Sequence, residues 1–188
     1  TKTKRTFKHL HHTVLQTIEY KEEHIYTLNR IIIAKIYILL EKTSLMIRQY
    51  KAEEIDTLIN IWLEGSKISH HFIPASFWEE KAGEMREVYI PTSNTFVYIA
   101  DDQSQPLGFI SMLDNYIAAI FVSPQSQRKG IGSTLIDYAK QAYDQLTLKV
   151  YSENKDSIAF YINHGFVITD ESMDAATKQY ELTMHYNK

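Results

Sequence analysis

The 188-residue chain contains no cysteine. Disulfide bridges, thiolate metal sites and acyl intermediates carried on sulfur are thereby excluded, and a reducing cytoplasm is the compartment this composition fits. Neither sign of charge is in large excess: 20 Lys and Arg face 23 Asp and Glu, for a formal charge of −3 and a pI near 6.2. Such a molecule offers no basic platform for phosphate backbones, so no nucleic-acid partner is expected. Long apolar runs are also missing. The longest, residues 31–40, has Lys35 inside it, and a bilayer needs about twenty such residues. Glu41 and Lys42 follow with no small-residue cleavage site, so neither a membrane span nor a signal peptide is expected. His9, His11 and His12 crowd together without carboxylates or thiols beside them, and no metal is assigned.

What is present, 44% apolar and 23% charged residues, is the composition of a globular protein. Residues 1–45 stand apart, with no Gly and no Pro. They are read as translated upstream sequence or an optional N-terminal extension, with a helical arm as the alternative, and residues 46–188 as the functional domain. Periodicity in that domain predicts strand 46–50, helices 52–64 and 74–89, and strands 95–100, 107–113 and 116–122. Helix 130–143, strand 146–151, helix 154–164 and strands 166–170 and 180–186 follow. The order βααβββαβαββ implies an α/β fold, a mixed β-sheet flanked by helices.

Between strand 116–122 and helix 130–143 lies Gln127-Arg128-Lys129-Gly130-Ile131-Gly132-Ser133. A helix start presents unpaired N–H groups and the positive end of a dipole, and glycines let a bulky anion approach the main chain. An ordinary β–α connection is the alternative. A P-loop is excluded because its lysine and first glycine are absent, and a dinucleotide fingerprint because its third glycine is Leu135.

The turn instead resembles motif A of the GNAT superfamily of N-acetyltransferases, Gln/Arg-x-x-Gly-x-Gly/Ala, through Gln127, Gly130 and Gly132. Phe121-Val122-Ser123-Pro124 is similar to the strand ending that precedes it in the family. Asn154-x₅-Phe160-Tyr161-x₃-Gly165-Phe166 resembles motif B, with Ser157 where alanine is common. The resemblance covers about 140 residues and implies a centrally splayed sheet that holds acetyl-CoA, with no metal. By the same resemblance, the main chain around Ile120, Phe121 and Val122 pairs with the pantetheine arm. Gln127, Arg128, Lys129, Gly130, Ile131, Gly132 and Ser133 cradle the pyrophosphate, Asn154 bonds the cofactor near its arm, and Tyr161 is the general acid. Its partners are then acetyl-CoA and an amine acceptor, in a monomer or homodimer. A non-catalytic acyl-CoA-binding regulatory module is the alternative.

With no cysteine to carry the acyl group, transfer is direct, in a ternary complex. A lysine-like amine of pKa about 10.4 is free to roughly one part in two thousand at pH 7, a deficit of about 4.6 kcal/mol. A phenol of pKa about 10 gives its proton to a thiolate of pKa about 8.5 at a cost of roughly 2 kcal/mol in water. With 13 tyrosines in the chain, a packing role is the plain alternative for Tyr161. Candidates for the base are His70, His71, Glu79, Glu80 and Asp114. His70, His71, Phe72, Trp78 and Asp114 are read as an acceptor wall; the alternative is that the aromatics anchor a helix while the histidines face solvent. A similar His-x-Phe-Ile segment occurs in small bacterial single-domain members of the superfamily, some linked to protein lysine acetylation. The acceptor itself, small amine or protein amine, stays open at this point.

Overall fold

The computed structural model describes residues 46–100 and 105–188, with Arg30, Ile33 and Lys35 as helical positions before them. Contacts divide the chain into two compact units, Thr1–Ser44 and Leu45–Lys188. The readings of residues 1–45 as an extension and of His9 to His12 lie outside the described residues. Among the described residues no helix is long and apolar enough to cross a membrane.

The second unit runs β1 (Ile47–Gln49), a 3-10 turn (Ala52–Glu54), α1 (Ile55–Ser69), α2 (Ala75–Glu84), β2 (Asn94–Tyr98), β3 (Gly108–Leu113) and β4 (Tyr116–Val122). It continues with α3 (Ile131–Ala142), β5 (Gln145–Tyr151), α4 (Lys155–Asn163), β6 (Val167–Met173) and β7 (Tyr180–Asn187). The seven strands order as β1-β2-β3-β4-β5-β7-β6. Every neighbouring pair is antiparallel except β4 and β5. The expected mixed α/β sheet is therefore present.

Strand alternation sends residues to two cores. Leu135, Ile136 and Ala139 of α3 and Tyr161 of α4 pack with Ile110, Ile117 and Leu148 on one face. Leu58 and Trp62 of α1 and Trp78 of α2 pack with Val97, Phe109 and Ala119 on the other. In β4, Ile117 and Ala119 would share a face under strict alternation. They do not, because Met112 pairs with Ile117 and Ser111 with Ala119, leaving Ala118 as an extra, exposed residue. A bulge of this kind shifts alternation by one and adds twist.

Three elements differ from their sequence expectation. Helix α1 continues past Glu64 through Gly65 to Ser69. A Cβ on Gly65 would sit 2.8 Å from the Phe121 ring, so the glycine lets α1 close onto β4. Helix α2 runs on through a π turn, Met85–Tyr89, into Ile90–Thr92, with Ile90 N–H reaching Met85 O. That wide turn accommodates Pro91, which has no N–H and crowds the carbonyl four residues back. Strand β6 extends to Met173 although nearly all its residues are exposed. An edge strand open on both faces has no apolar alternation to read, and pairing with β7 holds it.

Candidate functional site

Register between β4 and β5 covers only Tyr116 with Thr147 and Ile117 with Leu148. Both strands continue, β4 to Val122 and β5 to Tyr151, without pairing further. The bulged Ala118 follows the last pair directly. Added twist at that residue turns β4 away from β5 and opens a gap in the sheet. One side of the gap is the unpaired edge of β4 from Ala118 onward, which includes Ile120, Phe121 and Val122.

At the wide end of the gap the chain makes a 3-10 turn, Pro124–Ser126, and enters α3. Arg128 has φ 61° and Gly130 φ 84°, two left-handed residues that fold the turn back on itself. Gln127 Nε2 donates to Val122 O (3.2 Å), tying the turn to the end of β4, and Lys129 Nζ donates to Gln125 O (3.1 Å) within the turn. Among the described residues, no main-chain N–H from Arg128 to Ser133 has a protein acceptor; the first such bond is Thr134 N–H to Gly130 O. These donors, added to the positive end of the α3 dipole, form a cradle for an anion. Arg128 reaches Asp156 of α4 at 3.7 Å, but both side chains are almost fully exposed, so the pair adds little stability.

Helix α4 is capped by Asn154, whose Oδ1 accepts from Ser157 N–H at 3.2 Å. Asn154 is buried, and its cap fixes where α4 starts. Tyr161 lies on the buried side of α4, 8% exposed, edge-on to Phe160 and Phe166. Burial pushes its phenol well above the ordinary tyrosine value, and the nearby Tyr116 adds to the shift. Burial likewise raises Tyr116, which precedes Ile117 at the closed end of the gap.

On the opposite face the α1–α2 connection brings an aromatic group to the end of β5. The His70 ring lies 5.0 Å from Trp78 and 5.2 Å from Tyr151, and Phe72 lies 5.7 Å from Tyr151. Desolvation lowers His70 to about 4, so the imidazole is neutral at pH 7. Tyr151 is pushed up to about 12, first by burial and then by the Asp174 carboxylate, to which its hydroxyl donates at 3.1 Å. Burial alone would raise Asp174. Hydrogen bonds from Thr177, Ala176 and Tyr151 outweigh it and hold the carboxyl below its usual value. Asp174 and Thr177 belong to the β6–β7 loop, so three separate segments meet here.

Residues 75–177 match the Acetyltransferase (GNAT) domain family. The chain belongs to the GNAT acetyltransferases. Peptidyl-lysine N-acetyltransferase YiaC of Escherichia coli is 34% identical over 126 residues, spanning 66% of this chain and 85% of its own length. Peptidyl-lysine N-acetyltransferase YjaB of the same organism is 28% identical over 137 residues, 72% of this chain and 92% of its own. The solution structure of apo YjaB superposes with a TM-score of 0.68 at 27% identity, over 74% of this chain and 95% of that one. The protein is an acetyl-CoA-dependent N-acetyltransferase.

Two features of the gap and its turn fit an acetyl-CoA donor. The unpartnered N–H run from Arg128 to Ser133 suits a pyrophosphate, and the free edge of β4 suits an amide-bearing arm. The structure brings Ile120, Phe121, Val122, Gln127 to Ser133, Asn154 and Tyr161 around the gap and its cradle. His70, Phe72 and Trp78 form one wall on the other face. His71 is exposed beside them, Glu80 is exposed, and Glu79 is paired with Lys67 at 2.5 Å. Asp114 has φ 52° in the tight β3–β4 turn, beyond the closed end of the gap, and joins none of these groups. Sequence reading missed Ala118, Tyr116, Tyr151 and Asp174. Tyr151 ends β5 and had the available signal of closing the strand that borders the gap.

Proposed function

We propose that the enzyme acetylates the ε-amine of lysine in peptides or proteins, with Tyr161 as general acid and the Arg128–Ser133 main chain as pyrophosphate cradle. The lysine acceptor is supported by similarity to YiaC and YjaB, both peptidyl-lysine N-acetyltransferases. It is also supported by the surface beside the gap. On the α1/α2 face, Lys149, Glu181 and His185 of β5 and β7 stay partly or fully accessible, with Lys149 paired to Glu181. A protein chain carrying a lysine has room on such a surface. The observation that carries the catalytic reading is the end of β4–β5 pairing at Ile117 and Leu148, with Tyr161 packed against that part of the core. The cysteine-free chain is proposed to work in the cytoplasm.

Bound in the gap, acetyl-CoA supplies the activated acetyl thioester. Ala118 to Val122 orient it through main-chain groups, and α4 holds Tyr161 in one rotamer between Phe160 and Phe166. Tyr161 keeps its proton at Oη at any physiological pH and delivers it to the departing thiolate. Burial does not by itself widen the roughly 2 kcal/mol gap between phenol and thiol, because a thiolate in the same low-dielectric place is destabilised as well. With His70 neutral and poorly basic, the acceptor loses its proton to water at the open mouth. The rate, kcat/KM, should then rise about tenfold per pH unit below the lysine pKa.

The test is incubation with acetyl-CoA and either an N-terminally blocked lysine peptide or a panel of small amines, with thiol release and product mass measured. Acetylation of the peptide on its lysine is expected. Transfer to small amines alone would remove the lysine reading.

A further inference from the structure

Three buried polar atoms in the α1–α2 wall have no protein hydrogen-bond partner among the described residues: Ser66 Oγ, His70 Nδ1 and Trp78 Nε1. They lie together. Trp62, Ser66 and His70 are successive one-turn steps on α1, and His70 N–H donates to Ser66 O at 2.9 Å. The Trp78 indole meets Trp62 edge-on at 5.8 Å and His70 at 5.0 Å, so it lies along that stripe and over Ser66 between them. Ser66 is 0% and Trp78 8% exposed. Unmatched groups at a buried spot carry a desolvation penalty, and a shared solvent molecule with two to four polar partners removes it.

We propose that Ser66 Oγ, His70 Nδ1 and Trp78 Nε1 ligate one buried water, which fixes His70 as a neutral, Nε2-protonated hydrogen-bond donor facing the acceptor. The tautomer follows from counting protons. An indole N–H only donates, so the water accepts from Trp78 and has two protons to give. Nδ1 and Ser66 Oγ take both. With the proton on Nδ1 instead, one water proton would have no acceptor. Among the described residues His70 Nε2 has no hydrogen-bond partner and is not one of the sealed atoms, so it opens toward the accessible side of the wall. Phe72 and Tyr151 flank the His70 ring, with the Asp174 carboxylate behind Tyr151. A donor there suits an oxygen of the acceptor, such as a main-chain carbonyl next to the reacting lysine. It does not suit proton abstraction.

The role of His70 toward the acceptor rests on the lysine reading; the water and tautomer do not, since their test needs neither coenzyme nor acceptor. In the full ¹⁵N-labelled chain at pH 7, two-bond proton–nitrogen spectra identify His70 by its loss in His70→Gln. The Nε2–H tautomer is expected, with a cross-peak from long-lived water to the Trp78 indole N–H. An Nδ1–H tautomer, an imidazolium, or an indole without that cross-peak would overturn the site. Ser66→Ala removes one ligand and should mix the tautomers or abolish the cross-peak, whereas an unchanged spectrum would exclude Ser66. In kinetics, His70→Ala should raise the peptide KM about tenfold, the loss of one hydrogen bond, with kcat little changed. His70→Gln, which keeps an N–H near the Nε2 position, should raise it less than threefold. Equal losses in both variants, or a collapse of kcat, would contradict the donor role.

Discussion

On the α3/α4 face the functional groups are mostly main-chain atoms, the free edge of β4 and the N–H run from Arg128 to Ser133. On the α1/α2 face they are side chains, His70, Phe72, Trp78 and Tyr151, gathered from three segments. The first arrangement needs only a bulge, a left-handed turn and a helix start, so substitutions elsewhere leave it intact. The second depends on each ring. One half of the site is thus suited to a ligand that never changes, and the other can be altered residue by residue to take a different acceptor. Tyr161, the proposed general acid, is the exception on the first face, a side chain among main-chain groups.

Tyr161→Phe tests that exception and should have the largest effect. Turnover is expected to fall about 10²-fold or more with coenzyme affinity unchanged; equal loss in both, by steady-state kinetics and calorimetry, would make Tyr161 a packing residue. Gly130→Val should come next, because φ 84° is strained for a β-branched residue by roughly 1–3 kcal/mol. Coenzyme Kd should rise about tenfold to a hundredfold while the peptide KM holds. Gly65→Ala asks whether the two faces share one spacing through β4. The added Cβ meets the Phe121 ring at 2.8 Å, and overpacking of about 1–3 kcal/mol should exceed the roughly 1 kcal/mol that alanine gains in a helix. A net loss in urea unfolding is expected, and a gain would show that α1 yields freely. Asp174→Asn is the mildest. Weakening its hold on Tyr151 and Thr177 should raise the peptide KM about three- to tenfold without touching coenzyme binding.

How legible the site was in the sequence follows the same division. Gln127 to Ser133 and Asn154 to Phe166 are local strings whose residue types suffice, and the structure puts them at the gap. Tyr151 and Asp174 are separated by α4 and β6 and meet only because β7 pairs with both flanking strands. Nothing local marks either residue as part of the aromatic wall. Ala118 is silent for another reason, since an alanine inside an apolar strand reads the same whether paired or bulged. Gly65 and Asp114 show the opposite hazard. Gly65 lies inside α1 where a close approach requires it, and Asp114, chemically apt as a base, belongs to a tight turn.

A sheet ordinarily has two edges, and proteins guard them because an unsatisfied strand recruits any extended chain that fits it. The bulge at Ala118 gives this sheet two more in its interior, one on β5 and a longer one on β4 from Ala118 to Val122; the β4 edge is the one the donor would use. Its proposed partner is the donor's amide-bearing arm, a small molecule occupying the place of a strand. Coenzyme saturation should therefore slow amide exchange along β4 and protect the protein from aggregation on warming. In that sense the substrate completes the fold each time it binds.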